Sequence, residues 1–427
     1  MNNKFFKSTL ILIIGSLITK ALGFVIKVIF TRTIGSDGIN LYSLIMPTYS
    51  LLITLAQMGF PIAISNLIAK GKKSSKNILF SIIPISLLIN LIIIITVILF
   101  APYLSNNLLK NPDTYYPIIS IAFVIPFISI SSIIRGYFFG KQRMIPHTIS
   151  NIVEQIARLI IIIIFLPKFM KYGTIVSVTI FILFNILSEI ISIIVFLFFA
   201  PKSFTIKKSD LKPDLATAKE ILGISIPSTS SRIIGNIGFF FEPILLTNIL
   251  LFVGYSNSYI LKEYGIYNAY VIPVLTIPSF FIMALSTAII PEISKHSNNK
   301  KMIKRRLIQS ISTSLIIGFI SNIIIMLFPE FILNTLYKTT SGVNYIKFLA
   351  PFFILFYLEG PLVSILQGLN EAKYCMKITF FGIILKLSTM SLLCFLKIGI
   401  YSLIISEIVN ILFIITFNFQ KIIKILK

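Results

Sequence analysis

The sequence predicts an all-α integral membrane protein of about twelve transmembrane helices, in two six-helix lobes related by a pseudo-twofold axis along the membrane normal. Three observations carry this prediction. Of the 427 residues, 56% are hydrophobic and only 12% charged, with a mean hydropathy of +0.96, far more apolar surface than one water-soluble core can bury. Apolar runs long enough to cross a hydrocarbon core of about 30 Å follow one another from end to end. The connecting loops alternate between cation-rich and cation-poor.

Taken in order, the spans fall at roughly 8–30, 40–68, 78–101, 117–139, 148–166, 174–199, 220–253, 265–291, 307–328, 346–367, 375–396 and 400–419. The first is too long, and lacks the small-residue cleavage pattern, to be a removed leader; it reads as a retained helix. The cation-rich connections are Lys70-Gly-Lys-Lys-Ser-Ser-Lys76, Lys141-Gln-Arg143, 202–219, 295–306, 373–377 and the tail with Lys421, Lys424 and Lys427. All fall on one side, which the positive-inside rule makes cytoplasmic together with both termini. The excess of 38 Lys and Arg over 14 Asp and Glu, a net charge of +24, therefore reflects topology, and nucleic acid is excluded as a partner. Cys375 and Cys394 lie in one span, too far apart to bridge, and serve as apolar fillers. His147 and His296 sit in loops with no metal-ligand spacing, so no metal site is expected.

The longest inside connection, 201–219, divides the chain into an N-terminal lobe at 1–200, holding helices 1–6, and a C-terminal lobe at 220–427, holding helices 7–12. Weak self-similarity crosses that divide. Arg135-Gly-Tyr-Phe-Phe-Gly140 after the fourth span resembles Leu366-Gln-Gly368 after the tenth, and eighteen residues beyond each glycine stands a cation, Arg158 and Lys386. Parallel repeats of this kind place a substrate site at their interface.

Charges inside the spans define the candidate site. Lys20 and Lys27 lie in the first span, seven residues apart and so on nearly one helical azimuth. A cation near the bilayer centre costs about 2.5–3.5 kcal/mol on insertion scales, so this stripe should face protein or water. The same logic applies to Arg158, Arg232 and Lys386, which with Lys20 lie roughly 15–20 Å along their helices. Glu154 precedes Arg158 by four residues, the favourable order for an intrahelical pair, and Glu242 is a second in-span acid available for charge pairing or coupling. Stretch 221–236 is rich in small and hydroxyl residues, which either allows close helix packing or lines a polar cleft. Several midplane cations around a wet cleft would select a large anion such as a pyrophosphate and repel a small cationic drug. No covalent chemistry is implied: outer-loop acids Asp37, Asp113, Glu263 and Glu330 are too scattered for a glycosyltransferase or polymerase centre. No cofactor is expected beyond a coupling cation or the membrane potential.

Longer blocks carry a family resemblance. Lys20-Ala-Leu-Gly-Phe, the run Thr31-Arg-Thr-Ile-Gly-Ser-Asp-Gly-Ile-Asn-Leu-Tyr42, Gly59-Phe-Pro-Ile-Ala-Ile-Ser-Asn66, Glu154-Gln-Ile-Ala-Arg158 and Ala284-Leu-Ser-Thr-Ala-Ile-Ile-Pro-Glu-Ile-Ser294 resemble the stage V sporulation protein B family. That family lies in the polysaccharide-transporter branch of the multidrug/oligosaccharidyl-lipid/polysaccharide flippase superfamily. The resemblance implies a flippase for undecaprenyl-pyrophosphate-linked saccharide, a peptidoglycan precursor, working by alternating access in spore-cortex or cell-wall polysaccharide synthesis. It implies pyrophosphate contacts at Lys20, Lys27 and Arg232, and coupling at Glu242. The expected partners are lipid-linked saccharide, membrane lipid and cell-wall synthesis enzymes. Many relatives carry arginine where this chain has lysine, and many continue into two further helices that hold the lipid tail. The alternatives are a cation-coupled multidrug exporter of the same superfamily and a non-transporting cell-wall scaffold.

Overall fold

The computed structural model describes residues 3–71, 73–201, 214–296 and 299–426. Most of the expected linker, at 202–213, and Lys427 of the basic tail lie outside the described residues. Among the described residues the chain is helical between short turns and forms no strand. The helices are α1 (Asn3–Gln57), α2 (Phe60–Lys70), α3 (Ser75–Tyr103), α4 (Tyr115–Gly140), α5 (Met144–Met170), α6 (Thr174–Phe198), α7 (Leu215–Phe252), α8 (Asn257–Ile266) and α9 (Ile272–Lys295). After them come α10 (Lys300–Leu327), α11 (Pro329–Tyr337), α12 (Val343–Phe356), α13 (Glu359–Gly368), α14 (Ala372–Phe395) and α15 (Tyr401–Leu426).

Eleven helical stretches among the described residues are long and apolar enough to cross a membrane. One of them, Ile11–Lys70, has 60 residues. At 1.5 Å per residue it would run for about 90 Å if straight, far more than one bilayer core of about 30 Å, and it is broken at Gly35 between the first two expected spans. The loop expected at 31–39 shrinks to one non-helical residue, Gly35, at φ 72° and ψ −177°. A residue without Cβ takes that conformation at little cost, and helix resumes directly after it.

Three expected spans differ in detail. The second, at 40–68, is interrupted at Met58–Gly59, where both residues have positive φ, and α2 starts afresh with Pro61 in its first turn, where a missing N–H removes no helical bond. The tenth, at 346–367, is split into α12 and α13 around Tyr357 and Leu358, because the ring of Pro361 opposes the carbonyl four residues back. The eighth begins earlier, at Asn257, where Ser256 Oγ accepts from Tyr259 N at 3.3 Å. It runs through a π-helical turn, Tyr267–Val271, just ahead of Pro273.

The chain separates into two compact units, one of Met1–Ile34 and Ile45–Asn236, the other of Gly35–Leu44 and Ile237–Lys427. The N-terminal unit buries an apolar core and also turns large apolar side chains outward, as a soluble protein would not. On α3 the exposed stripe is Leu88, Leu91, Ile92, Ile95 and Leu99, while Ser86 and Asn90 are buried. Ser86 and Ser129 of α4 share a hydrogen bond of 2.5 Å across the interior. Apolar side chains face lipid, and small polar ones join helices.

Each unit repeats one close packing. In the N-terminal unit a Cβ on Gly140 would lie 2.6 Å from Ile68 Cβ, and in the C-terminal unit a Cβ on Gly368 would lie 2.8 Å from Ile293 Cβ. The glycine matched by sequence in each half thus lets the end of one helix lie on an isoleucine of another, α4 on α2 and α13 on α9. Around these contacts sit the two cores, Phe60, Ile64, Ile133 and Tyr137 in one and Leu307, Leu362, Leu366 and Ile422 in the other.

The start of α7 is tied down by polar bonds. Asp214 accepts from Ala216 N at 3.0 Å and from the Thr217 hydroxyl, and Lys73 Nζ reaches Thr217 Oγ1 at 2.8 Å and Glu220 Oε2 at 3.1 Å. The Thr217 hydroxyl and the amides behind it hold the Asp214 carboxyl below its ordinary value of 3.8.

Two outcomes follow. Gly140→Val and Gly368→Val should each cost about 1–3 kcal/mol by overpacking and lower the thermal melting point of the detergent-solubilised protein; unchanged melting in both would contradict the packing. Because the folded-state value of Asp214 is depressed, its stabilisation is complete above 3.8 and is lost as pH falls through the lower folded value. Hydrogen-exchange protection at Ala216 and Thr217 should therefore hold at neutral pH and decline only in acid, and should be pH-independent in Asp214→Asn.

Candidate functional site

The candidate cations fall into two groups. Arg158 and Lys386, eighteen residues beyond the matched glycines, are both neutralised by carboxylates inside their own units. On α5, Arg158 Nη2 donates to Glu154 Oε1 at 2.9 Å, and Nε and Nη2 each reach Ser188 Oγ of α6 at 3.2 Å. Glu154 and Ser188 are buried, at 6% and 0% exposure, so the guanidinium is clamped between two helices. The i,i+4 spacing that suggested this pair is enough to make it, because those positions share a helix face.

In the C-terminal unit the arrangement spans more helices. Lys386 Nζ on α14 lies 2.7 Å from Glu242 Oε2 of α7 and 2.5 Å from Glu407 Oε2 of α15. Tyr264 of α8 donates its hydroxyl to Glu242 Oε1 at 3.2 Å. Glu242 is 2% exposed, so this ammonium holds two carboxylates in an interior that would not tolerate them unpaired. Glu407 is legible in the sequence only as one of several in-span acids, and its pairing with Lys386, like the Tyr264 contact to Glu242, requires packing of helices distant in sequence.

Lys20, Lys27 and Arg232 form the second group. Lys20 and Lys27 are half-buried on α1, and each interacts with neighbouring groups. Arg232 is exposed within α7. All three lie in stretches long and apolar enough to cross a membrane, where a charge facing acyl chains is costly.

The C-terminal unit also contains two clefts along α9, each with a mostly apolar lining that includes a few polar side chains. One, of about 280 Å³, lies against α10 and is lined by Ser286, Glu292, Arg306, Gln309 and Ser314 among others, with Arg306 Nη2 2.5 Å from Glu292 Oε1. The other, of about 270 Å³, lies against α12 and α13 and is lined by Ser279, Glu359, Ser364 and Gln367 among others. Each is large enough for several waters beside buried polar groups. Among the described residues no group of three or more His, Cys, Asp or Glu is placed to hold a metal ion. Cys375 and Cys394 are free thiols, and Cys394 Sγ donates to Ser402 Oγ at 3.3 Å.

Apolar faces turned outward, hydroxyls and ion pairs turned inward, and cations within the spans together define an all-α, multi-pass integral membrane protein with a charged interior. The chain belongs to the polysaccharide biosynthesis protein family, whose profile matches residues 5–297; a MatE profile matches residues 243–390. It is 36% identical over 394 residues to Stage V sporulation protein B of Bacillus subtilis (strain 168), covering 90% of this chain and 76% of that protein. It is 24% identical over 433 residues to Lipid II flippase MurJ of the same organism, covering 91% of this chain and 77% of that protein. Its fold matches a solved inward-facing multidrug resistance MATE family transporter of the MOP superfamily with a TM-score of 0.74, at 16% identity over 95% of this chain and 94% of the other.

The ion-paired group should be essential for folding. Lys386→Met leaves two buried carboxylates without a cation and should cost about 3–5 kcal/mol of stability. Adding Glu407→Gln to that variant should recover part of the loss in denaturation measurements. A Lys386→Met protein as stable as the parent would show that the triad is not formed.

Proposed function

We propose that this protein carries a lipid-linked saccharide, of the undecaprenyl-pyrophosphate class, across the membrane by alternating access. The carrying observation is Arg232, an exposed guanidinium inside the membrane-spanning part of α7. Lipid would not tolerate it there, so it faces a water-filled chamber, and a chamber bearing fixed positive charge suits an anionic headgroup. Lys20 and Lys27 supply further cations from α1, and the pyrophosphate oxygens offer enough acceptors for all three. Membership in the polysaccharide biosynthesis family, and the 36% identity to a sporulation protein, support a place in spore-cortex or cell-wall polysaccharide synthesis. Arg158 and Lys386 contribute to this reading as positioning charges, because Glu154, Glu242 and Glu407 already hold them.

In the cycle, the headgroup enters from the cytoplasmic side, where both termini lie, and the polyprenyl tail stays in the bilayer. Driving force comes from a coupling cation or the membrane potential, worth about 2.3 kcal/mol per elementary charge per 100 mV. Cell-wall synthesis enzymes supply and receive the cargo. A drug-exporter reading draws on the MatE match at 243–390, but two in-span carboxylates it would use for an organic cation, Glu242 and Glu407, are engaged by Lys386.

Vesicles containing a fluorescent undecaprenyl-pyrophosphate saccharide test this. Lys20→Gln and Arg232→Gln should each slow translocation about tenfold or more, as expected for losing a charge-assisted contact of about 1.5–3 kcal/mol, while insertion and melting are unchanged. Parental rates in both variants would rule out the headgroup role.

A further inference from the structure

The N-terminal unit holds a second polar cluster that the Arg158–Glu154 pair does not account for. Six buried side-chain atoms on three packed helices lack hydrogen-bond partners: Ser131 Oγ, Ser132 Oγ and Arg135 Nε on α4, His147 Nδ1 and Asn151 Oδ1 on α5, and Glu189 Oε2 on α6. Arg135 interacts electrostatically with both Glu189 and His147, and the Ser131 hydroxyl faces the Glu189 carboxyl. His147 Nε2 meets Asn151 Nδ2 at 3.3 Å. On α5, His147, Asn151, Glu154 and Arg158 recur at helical spacing and form one polar stripe, beginning one turn from the exposed residues Lys141, Gln142 and Arg143.

Orphaned polar atoms grouped in a membrane interior are normally satisfied by bound water. The set contains donors in Arg135 and the hydroxyls and acceptors in Glu189 and Asn151, a mixture that water matches and an ion of either sign does not. Its charges also balance. Glu189 is faced by Arg135 from α4, by Glu154 and Arg158 from α5, and by the Tyr49 hydroxyl from α1, two cations against two carboxylates. Glu154 is bound directly by Arg158, whereas Glu189 Oε2 is not bound by either arginine.

We propose that water held among α4, α5 and α6 connects Glu189 to the α4–α5 turn and makes its carboxyl a proton-exchange site, separate from the Arg158–Glu154 pair. The site takes protons and water, and it stands whether or not the cargo is a lipid-linked saccharide. A proton arriving along that water, past His147 and Asn151, neutralises Glu189 and leaves Arg135 as an uncompensated cation, so protonation changes the charge of the unit's interior without breaking a direct ion pair.

Infrared difference spectroscopy of the full chain in lipid nanodiscs tests this. A carboxylic-acid C=O band should grow as the buffer is acidified and shift within minutes of exchange into D2O. It should vanish in Glu189→Gln and persist in Glu359→Gln. A band that survives Glu189→Gln, or one that does not shift in D2O while the protein stays folded, would overturn the proposal. If Glu189→Gln does not fold, Ser131→Ala takes its place: the band should move in frequency, because that hydroxyl faces the carboxyl, and an unmoved band overturns the assignment equally.

Discussion

A charge inside hydrocarbon has to be met by its opposite or by water, and that constraint arranges the interior of both units. Arg158 with Glu154 and Ser188, and Lys386 with Glu242 and Glu407, are the direct consequences. Their energetic weight lies less in the attraction gained than in the penalty for losing one member, since a lone buried charge has nowhere to go. The helices that carry these groups are thereby held in one register, α5 on α6 in one unit and α14 between α7 and α15 in the other.

The two units solve the same problem by different means. In each, a glycine lets one helix end lie directly on an isoleucine of its neighbour, and eighteen residues later a cation enters the interior. In the N-terminal unit its acid is on the same helix, four residues away, so the pair is nearly independent of tertiary packing. In the C-terminal unit both acids come from other helices, so the triad exists only when α7, α14 and α15 are assembled. The second arrangement is the one that a change in helix packing would disturb.

This division of labour also separates the cations by role. Arg158 and Lys386 are held by carboxylates inside their units, while Lys20, Lys27 and Arg232, on α1 and α7, are the cations on which the proposed headgroup contact rests. The hydroxyl-rich stretch of α7 packs closely at Thr229, where a Cβ added to Gly59 would lie 2.5 Å from Thr229 Cγ2, and Arg232 one turn further is exposed.

The sequence by itself determined the class and most of the spans, because hydropathy and loop charge are local properties that hydrocarbon enforces on every segment. It also determined the Arg158–Glu154 pair, since i,i+4 neighbours meet on any straight helix. Only the tertiary structure decided that Lys386 is shared by Glu242 and Glu407, that spans two and ten are broken at Met58–Gly59 and Tyr357–Leu358, and that Glu189 sits among unpartnered polar atoms. Those outcomes depend on which helix faces meet, and in a chain whose every span is apolar, periodicity alone does not tell a face turned to lipid from one turned to another helix.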